Sequence, residues 1–193
     1  MAHHDGRGAV NTGRETDASL AAAVREDPDR FTDVYDRYFD VVHGYIAGRL
    51  DTQAADDLAA ETFTLAFLHR DRFDPALGAL RPWLLGIATN IIARHRRAEA
   101  RRYRALARSA GPDVQDGHES RVVASVAAKD LQPRLAGALA ALSAKERDVV
   151  LLMALGELSH EEIGQALGIP YGTVGSRLNR ARGKLRAALE EED

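Results

Sequence analysis

Cysteine is absent from the 193 residues, which removes a disulfide framework, a thiolate zinc site and a cysteine nucleophile at once. Aromatic side chains are scarce at 6%, while Ala and Leu abound, a balance that favours helices over a β-sandwich. No window approaches the roughly 18 consecutive apolar residues that span a bilayer. The opening residues are too polar for a secretory leader, so the expectation is a cytoplasmic chain without membrane insertion. The seven histidines are scattered and none pairs with carboxylates at metal spacing, so no metal site is expected. His3 and His4 read as polar residues of a tail. No Gly-rich phosphate loop and no nucleophile with its base occurs. Neither an enzyme nor a cofactor is expected.

What is present is ordinary globular material, 45% hydrophobic and 28% charged, in a length that suits one or two domains. The formal charge of −3 hides a segregation. Residues 1–60 carry 12 acids against 6 bases, residues 91–108 carry seven Arg against one Glu, and residues 170–189 carry five bases and no acid. Blocks of one sign mark partners.

Residues 1–16, rich in Gly and Arg and without periodicity, read as a disordered tail. A short helix is predicted over 17–25. A stripe of Phe31, Val34, Tyr35, Tyr38, Val42, Tyr45, Ile46 and Leu50 then recurs at spacings of three and four, the mark of an amphipathic helix. A third helix is predicted over 53–70, and Asp74, Pro75 and Gly78 make a loop. The next helix starts near Leu80 and runs past Arg104. Its stripe of Leu80, Leu84, Ile87 and Ile91 continues in the same phase as Arg94, Arg97, Arg101, Arg104 and Arg108. A helix that outruns its domain and meets a polyanion accounts for the switch; a solvated basic face is the alternative. Residues 109–129 read as a flexible linker with a short helix around 120–127. Fully extended they span roughly 70 Å, about two turns of duplex.

Beyond the linker, Asp130 begins a helix running to Leu142. Ser143 with Glu146 and Ser159 with Glu162 form capping boxes, and a last helix runs from Pro170, a good first-turn residue, to Leu189. The expected fold is all-α: two small helical domains, 17–108 and 130–189, joined by the linker, with an acidic tail at 190–193. Ile163, Leu167, Ile169, Val174 and Leu178 lock residues 159–182 into a helix-turn-helix, whose second helix enters the major groove. Opposite that stripe lie Thr173, Ser176, Arg177, Arg180 and Lys184, with Asn179 beside them. Arg suits guanine, and the hydroxyls reach bases or phosphates; Thr173 and Lys184 fall to phosphates.

With these features in place, the sequence resembles a bacterial RNA polymerase sigma factor of the extracytoplasmic function (ECF) group. The resemblance rests on four stretches in order: residues 31–50; Ala55-Asp56-Asp57-Leu58-Ala59-Ala60-Glu61-Thr62-Phe63; Leu80-Arg81-Pro82-Trp83-Leu84-Leu85-Gly86-Ile87-Ala88-Thr89-Asn90; and Gly172-Thr173-Val174-Gly175-Ser176-Arg177-Leu178-Asn179-Arg180-Ala181-Arg182. It implies a promoter-recognition initiation factor whose partners are the polymerase core (the coiled coil of the largest subunit and the flap) and promoter DNA, with an anti-sigma protein as a further partner. It implies that 17–108 is sigma region 2 and 130–189 is region 4. Asp56, Asp57, Glu61 and Phe63 would then contact the core. Trp83, Asn90, Arg94, Arg96 and Arg97 would recognise and open the minus-10 element beside a pocket rimmed by residues 73–79. Trp83 at this spacing is as much a core residue as a stacking one. The family commonly has Gln where Ala60 stands and a base where Gly175 stands, so direct minus-35 readout rests on Ser176, Arg177 and Arg180. The rival reading is a response-regulator-type helix-turn-helix factor, which needs an alternating β/α receiver that residues 17–108 do not supply.

Overall fold

The computed structural model describes residues 16–109 and 133–190. The expected tail, the expected linker with the short helix predicted around 120–127, and the acidic end lie outside the described residues but for a position at their edges. Among the described residues the architecture is eight α-helices and two 3-10 turns, without a strand.

Thr16 caps α1 (Asp17–Glu26), its hydroxyl accepting from the Ser19 amide at 3.2 Å. A turn at Pro28–Arg30 leads into α2 (Phe31–Ala47). Asp51 caps α3 (Thr52–Leu68) through the Ala54 amide at 2.9 Å. The predicted end at Arg70 is a separate 3-10 turn, Arg70–Arg72, which follows once the His69 amide has closed on Leu65. α4 (Leu80–Ser109) has 30 residues, about 45 Å of helix.

Leu20 and Val24 of α1, Val42, Tyr45 and Ile46 of α2, Leu58 and Phe63 of α3 and Leu84, Ile91 and Ile92 of α4 share one core. The α4 stripe is wider than its spacing suggests: Leu85 and Ala88 are buried, whereas Ile87 is only partly so. The reason is that α4 is covered on two sides, by α2 and α3 and by the second half of the chain. Beyond Arg96 the helix stands clear of the fold, and residues 97–106 and 108 are exposed except Ala100.

The second half is described from α5 (Pro133–Ala140) onward. The expected start at Asp130 lies outside the described residues, and the end comes two residues earlier than expected because the Leu142 amide closes a tight turn on Leu139. α6 (Ala144–Ala154) and α7 (His160–Leu167) carry both capping boxes as predicted. Gly168 takes the left-handed conformation, φ 61°, which only glycine adopts without strain, and turns the chain into α8 (Tyr171–Glu190). Pro170 is the cap of α8 and not its first residue, since its carbonyl accepts the Thr173 and Val174 amides.

The halves meet along a seam. A Cβ on Gly86 of α4 would sit 2.3 Å from the Ala166 carbonyl oxygen of α7, so only glycine permits this backbone approach. Arg49, 3% exposed, donates to Asp148 of α6 and to the Tyr45 hydroxyl, which meets Thr89 at 2.8 Å. Arg81 reaches Glu157 at 3.2 Å. The hydrophobic core runs through the seam without a break.

Candidate functional site

The outer face of α4 carries Asn90, Arg94 and Arg97, all exposed, at the i, i+4, i+7 spacing that puts side chains in one row. Arg94 donates to Glu61 of α3. Arg96 departs from the expectation. One residue of helix turns it about 100° away from Arg97, into the seam, where its Nη2 donates to the Arg49 carbonyl at 3.1 Å. Burial, then the guanidinium groups of Arg49 and Arg147, pull Arg96 down to about 10. It is a seam residue and not part of the row. The Trp83 ring is half-buried against the core, its centroid 5.3 Å from that of Phe73; it floors the loop at 73–79. In that loop the Asp74 carboxylate accepts from the Ala76 amide at 2.9 Å, and Leu77 stands 72% exposed at the tip.

The acidic face of α3 is less bare than its sequence suggests. Asp56 and Asp57 are exposed, but His43 meets Asp56 at 2.8 Å and Arg94 meets Glu61. Phe63 is buried under Tyr35 and Phe39, with ring centroids 4.9 and 6.2 Å away. It is therefore a wall and not a protruding contact. These rings, with Phe31, Phe67, Ala60 and Asp56, line an open groove of about 850 Å³ between α2 and α3. The groove was not anticipated. Its signal was an aromatic ring at 31, 35 and 39 and again at 63 and 67, each four residues apart and so on one helix face.

On α8, Val174, Leu178 and Ala181 are buried against α5–α7. Ser176, Asn179, Arg180 and Lys184 are exposed and Thr173 and Arg177 half-buried, so the expected face exists. The Ser176 hydroxyl donates to the Thr173 carbonyl at 3.0 Å, leaving its oxygen lone pairs outward. Lys184 differs from expectation. Its ammonium donates to Glu146 at 2.8 Å, and Arg180 Nε lies 3.6 Å from the other carboxylate oxygen. The Lys184 hydrogen bond, then the Ser143 hydroxyl and amide, hold the Glu146 carboxyl down to about 2. Glu146 thus has a second role beyond its capping box, tying α6 to α8. A Cβ on Gly175 would meet nothing within 4 Å.

Two family descriptions match this chain: Sigma-70 region 2 over residues 34–102 and Sigma-70 region 4 over 133–185. The ECF RNA polymerase sigma factor SigW of Bacillus subtilis is 33% identical over 176 residues, 86% of this chain and 91% of that protein. The chain belongs to the ECF sigma factors of the sigma-70 family. This ECF sigma factor is therefore an initiation factor that directs RNA polymerase to promoters, and the response-regulator reading falls: region 2 occupies the residues a receiver would need. The structure of CnrH in complex with the cytosolic domain of CnrY covers 93% of this chain and 100% of that chain at a TM-score of 0.63 and 25% identity. The sigma factor RpoE of Bartonella quintana, solved with the anti-sigma factor NepR, shares the fold at a TM-score of 0.59 and 24% identity, over 83% of this chain and 96% of that one. No described helix is long and apolar enough to cross a membrane.

Proposed function

We propose that this sigma factor divides promoter binding between two faces, in the cytoplasm and without catalysis of its own. Asn90, Arg94 and Arg97, with the loop at 73–79, engage the minus-10 element. A separating strand needs a cationic track and a pocket for an extruded base. Ser176, Arg177, Asn179 and Arg180, with Thr173 on a phosphate, read the minus-35 element in the major groove. Asp56, Asp57 and Glu61, with the aromatic groove beside them, dock the coiled coil of the largest polymerase subunit, the charges steering and the rings packing. The second half takes the flap, and an anti-sigma protein covers the same polymerase-binding faces to hold the factor inactive.

The observation that carries this reading is the second half of α4, which leaves the fold at Arg97 and bears Arg101, Arg104 and Arg108 on an exposed helix. A structural helix has no use for that length or charge. The reading is tested by reversing Asp56, Asp57 and Glu61 together to Lys. Co-purification with core polymerase is expected to disappear while helical content stays unchanged. Co-purification at the wild-type yield would remove this surface from the account.

A further inference from the structure

α4 starts without a cap of its own. Ala79 precedes it and has no side chain that accepts a hydrogen bond, although the first amides of any helix need acceptors. The acceptor comes from elsewhere: Asp17, the first residue of α1, takes the Leu80 amide at 2.7 Å. Its other oxygen accepts from the Tyr38 hydroxyl of α2, and Arg37 stands 3.6 Å away. Burial, then the Asp17 carboxylate, push the Tyr38 phenol up, so it remains a donor. At the opposite end of α1, Arg25 donates to the Phe73 carbonyl. Phe73 opens the loop and Leu80 closes it. The two ends of one loop are therefore bonded to the two ends of one helix. Eight residues of helix separate Asp17 from Arg25, about 12 Å. Leu20, Ala21 and Val24 fix that helix in the core.

From this geometry we infer that α1 is a strut that sets the span of the loop at 73–79, and that Asp17 and Arg25 are positioning residues for minus-10 base selection that touch no DNA. The inference rests on the loop's proposed place at the minus-10 element. The mechanical reason is direct. Between its anchors the loop is held by its own turn at Asp74 and by Gln165 of α7, whose Oε1 lies 2.3 Å from where a Cβ on Gly78 would sit. Residues 74–77 are exposed, so the separation of Phe73 and Leu80 sets where the tip at Leu77 stands relative to the Asn90–Arg97 row. A base is discriminated by groups held within hydrogen-bonding tolerance, and a loop freed at one end presents its tip over a range of positions.

The test is transcription by holoenzyme, full-length sigma factor on core polymerase, over a promoter library randomised at both elements. Arg25→Ala and Asp17→Ala are expected to lower the minus-10 base preference by about fivefold, the lower end of what one base contact discriminates. The minus-35 preference and core affinity should stay at wild-type values. Asp17→Asn, whose amide oxygen still accepts from Leu80, is expected to restore the preference, and Arg25→Lys to restore it in part. A purely structural role would lower melting temperature and output on every promoter alike, and that result overturns the inference. Should Arg25→Ala fail to fold, Arg25→Gln and Asp17→Asn supply the same contrast. Two controls separate this inference from the reading beneath it: one Gly inserted after Leu77, and Asn90→Ala with Arg97→Ala. If these change the minus-10 preference and the α1 variants do not, the strut alone is wrong. If none of them changes it, the minus-10 assignment is wrong as well.

Discussion

The two cationic helices, α4 and α8, solve the same electrostatic problem in different ways. α8 keeps its apolar stripe of Val174, Leu178 and Ala181 in the core and ties Arg180 and Lys184 back to Glu146, an acid that is 5% exposed. α4 gives up its core at Ile92 and then carries Arg97 and Arg101 as exposed side chains. The first arrangement suits reading. A guanidinium kept beside a carboxylate, as Arg180 is at 3.6 Å from Glu146, loses less freedom when it meets a base edge. The second suits gripping, since phosphate attraction needs charge and reach but little orientation. Between them lies the seam, where Arg49, Arg96 and Arg147 gather around Asp148.

The seam between the two helices is where a substitution should cost most. Asp148→Ala strips the carboxylate from the Arg49 guanidinium, which is buried while Asp148 itself is 20% exposed, and leaving a buried charge without its partner costs about 3 kcal/mol. Urea unfolding of the full-length chain is expected to show that loss as a lower midpoint. An unchanged midpoint would mean that the halves do not pack this way in solution. Next in size are the residues proposed to read the minus-35 element: Arg177→Ala or Arg180→Ala is expected to cost roughly 1–3 kcal/mol of discrimination at one or two minus-35 positions. If both leave the minus-35 preference intact in the promoter library, α8 reads with another face.

Gly175→Arg adds a charge to α8 where it has none. The position has open space around a Cβ, and losing glycine recovers up to about 1 kcal/mol of helix propensity. Affinity for promoters is expected to rise by less than tenfold with the base preference unchanged; a changed preference would place position 175 on the reading surface. The smallest effect concerns salt. Arg97→Ala should flatten the dependence of holoenzyme binding on salt by nearly one charge. Lys184→Ala should flatten it by clearly less, because its ammonium is already neutralised by Glu146. Equal changes in slope would show that the Glu146 tie breaks when DNA binds.

Much of this was legible in the chain because local chemistry decided it. Ser143-to-Glu146 and Ser159-to-Glu162 spacing announced two helix starts, and the loss of apolar phase after Ile91 announced that α4 leaves its domain. What stayed hidden depended on contacts between distant segments. Glu146 read as a cap, and nothing near it in sequence shows that Lys184, 38 residues on, completes its shell. Arg96 sat in an arginine-rich run where every member looked alike, and only the arrival of α6 against α2 and α4 singled it out. Phe63 read as a contact because the rings that cover it come from α2. Asp17 read as an ordinary first-turn acid, and its role at Leu80 spans 63 positions. Periodicity reports which face of a helix is inward; it does not report which neighbour meets that face.

The division of labour between the two helices makes one demand that can be read in a single gel. A promoter fragment carrying both elements is incubated with the full-length chain, with and without core polymerase. Shifted, sequence-specific complex is expected only when core is present, because the acidic first 60 residues repel DNA and the two faces act together only on the enzyme. A tight, sequence-specific shift with the chain alone would contradict the account, since it would show a factor that needs no polymerase to find its site.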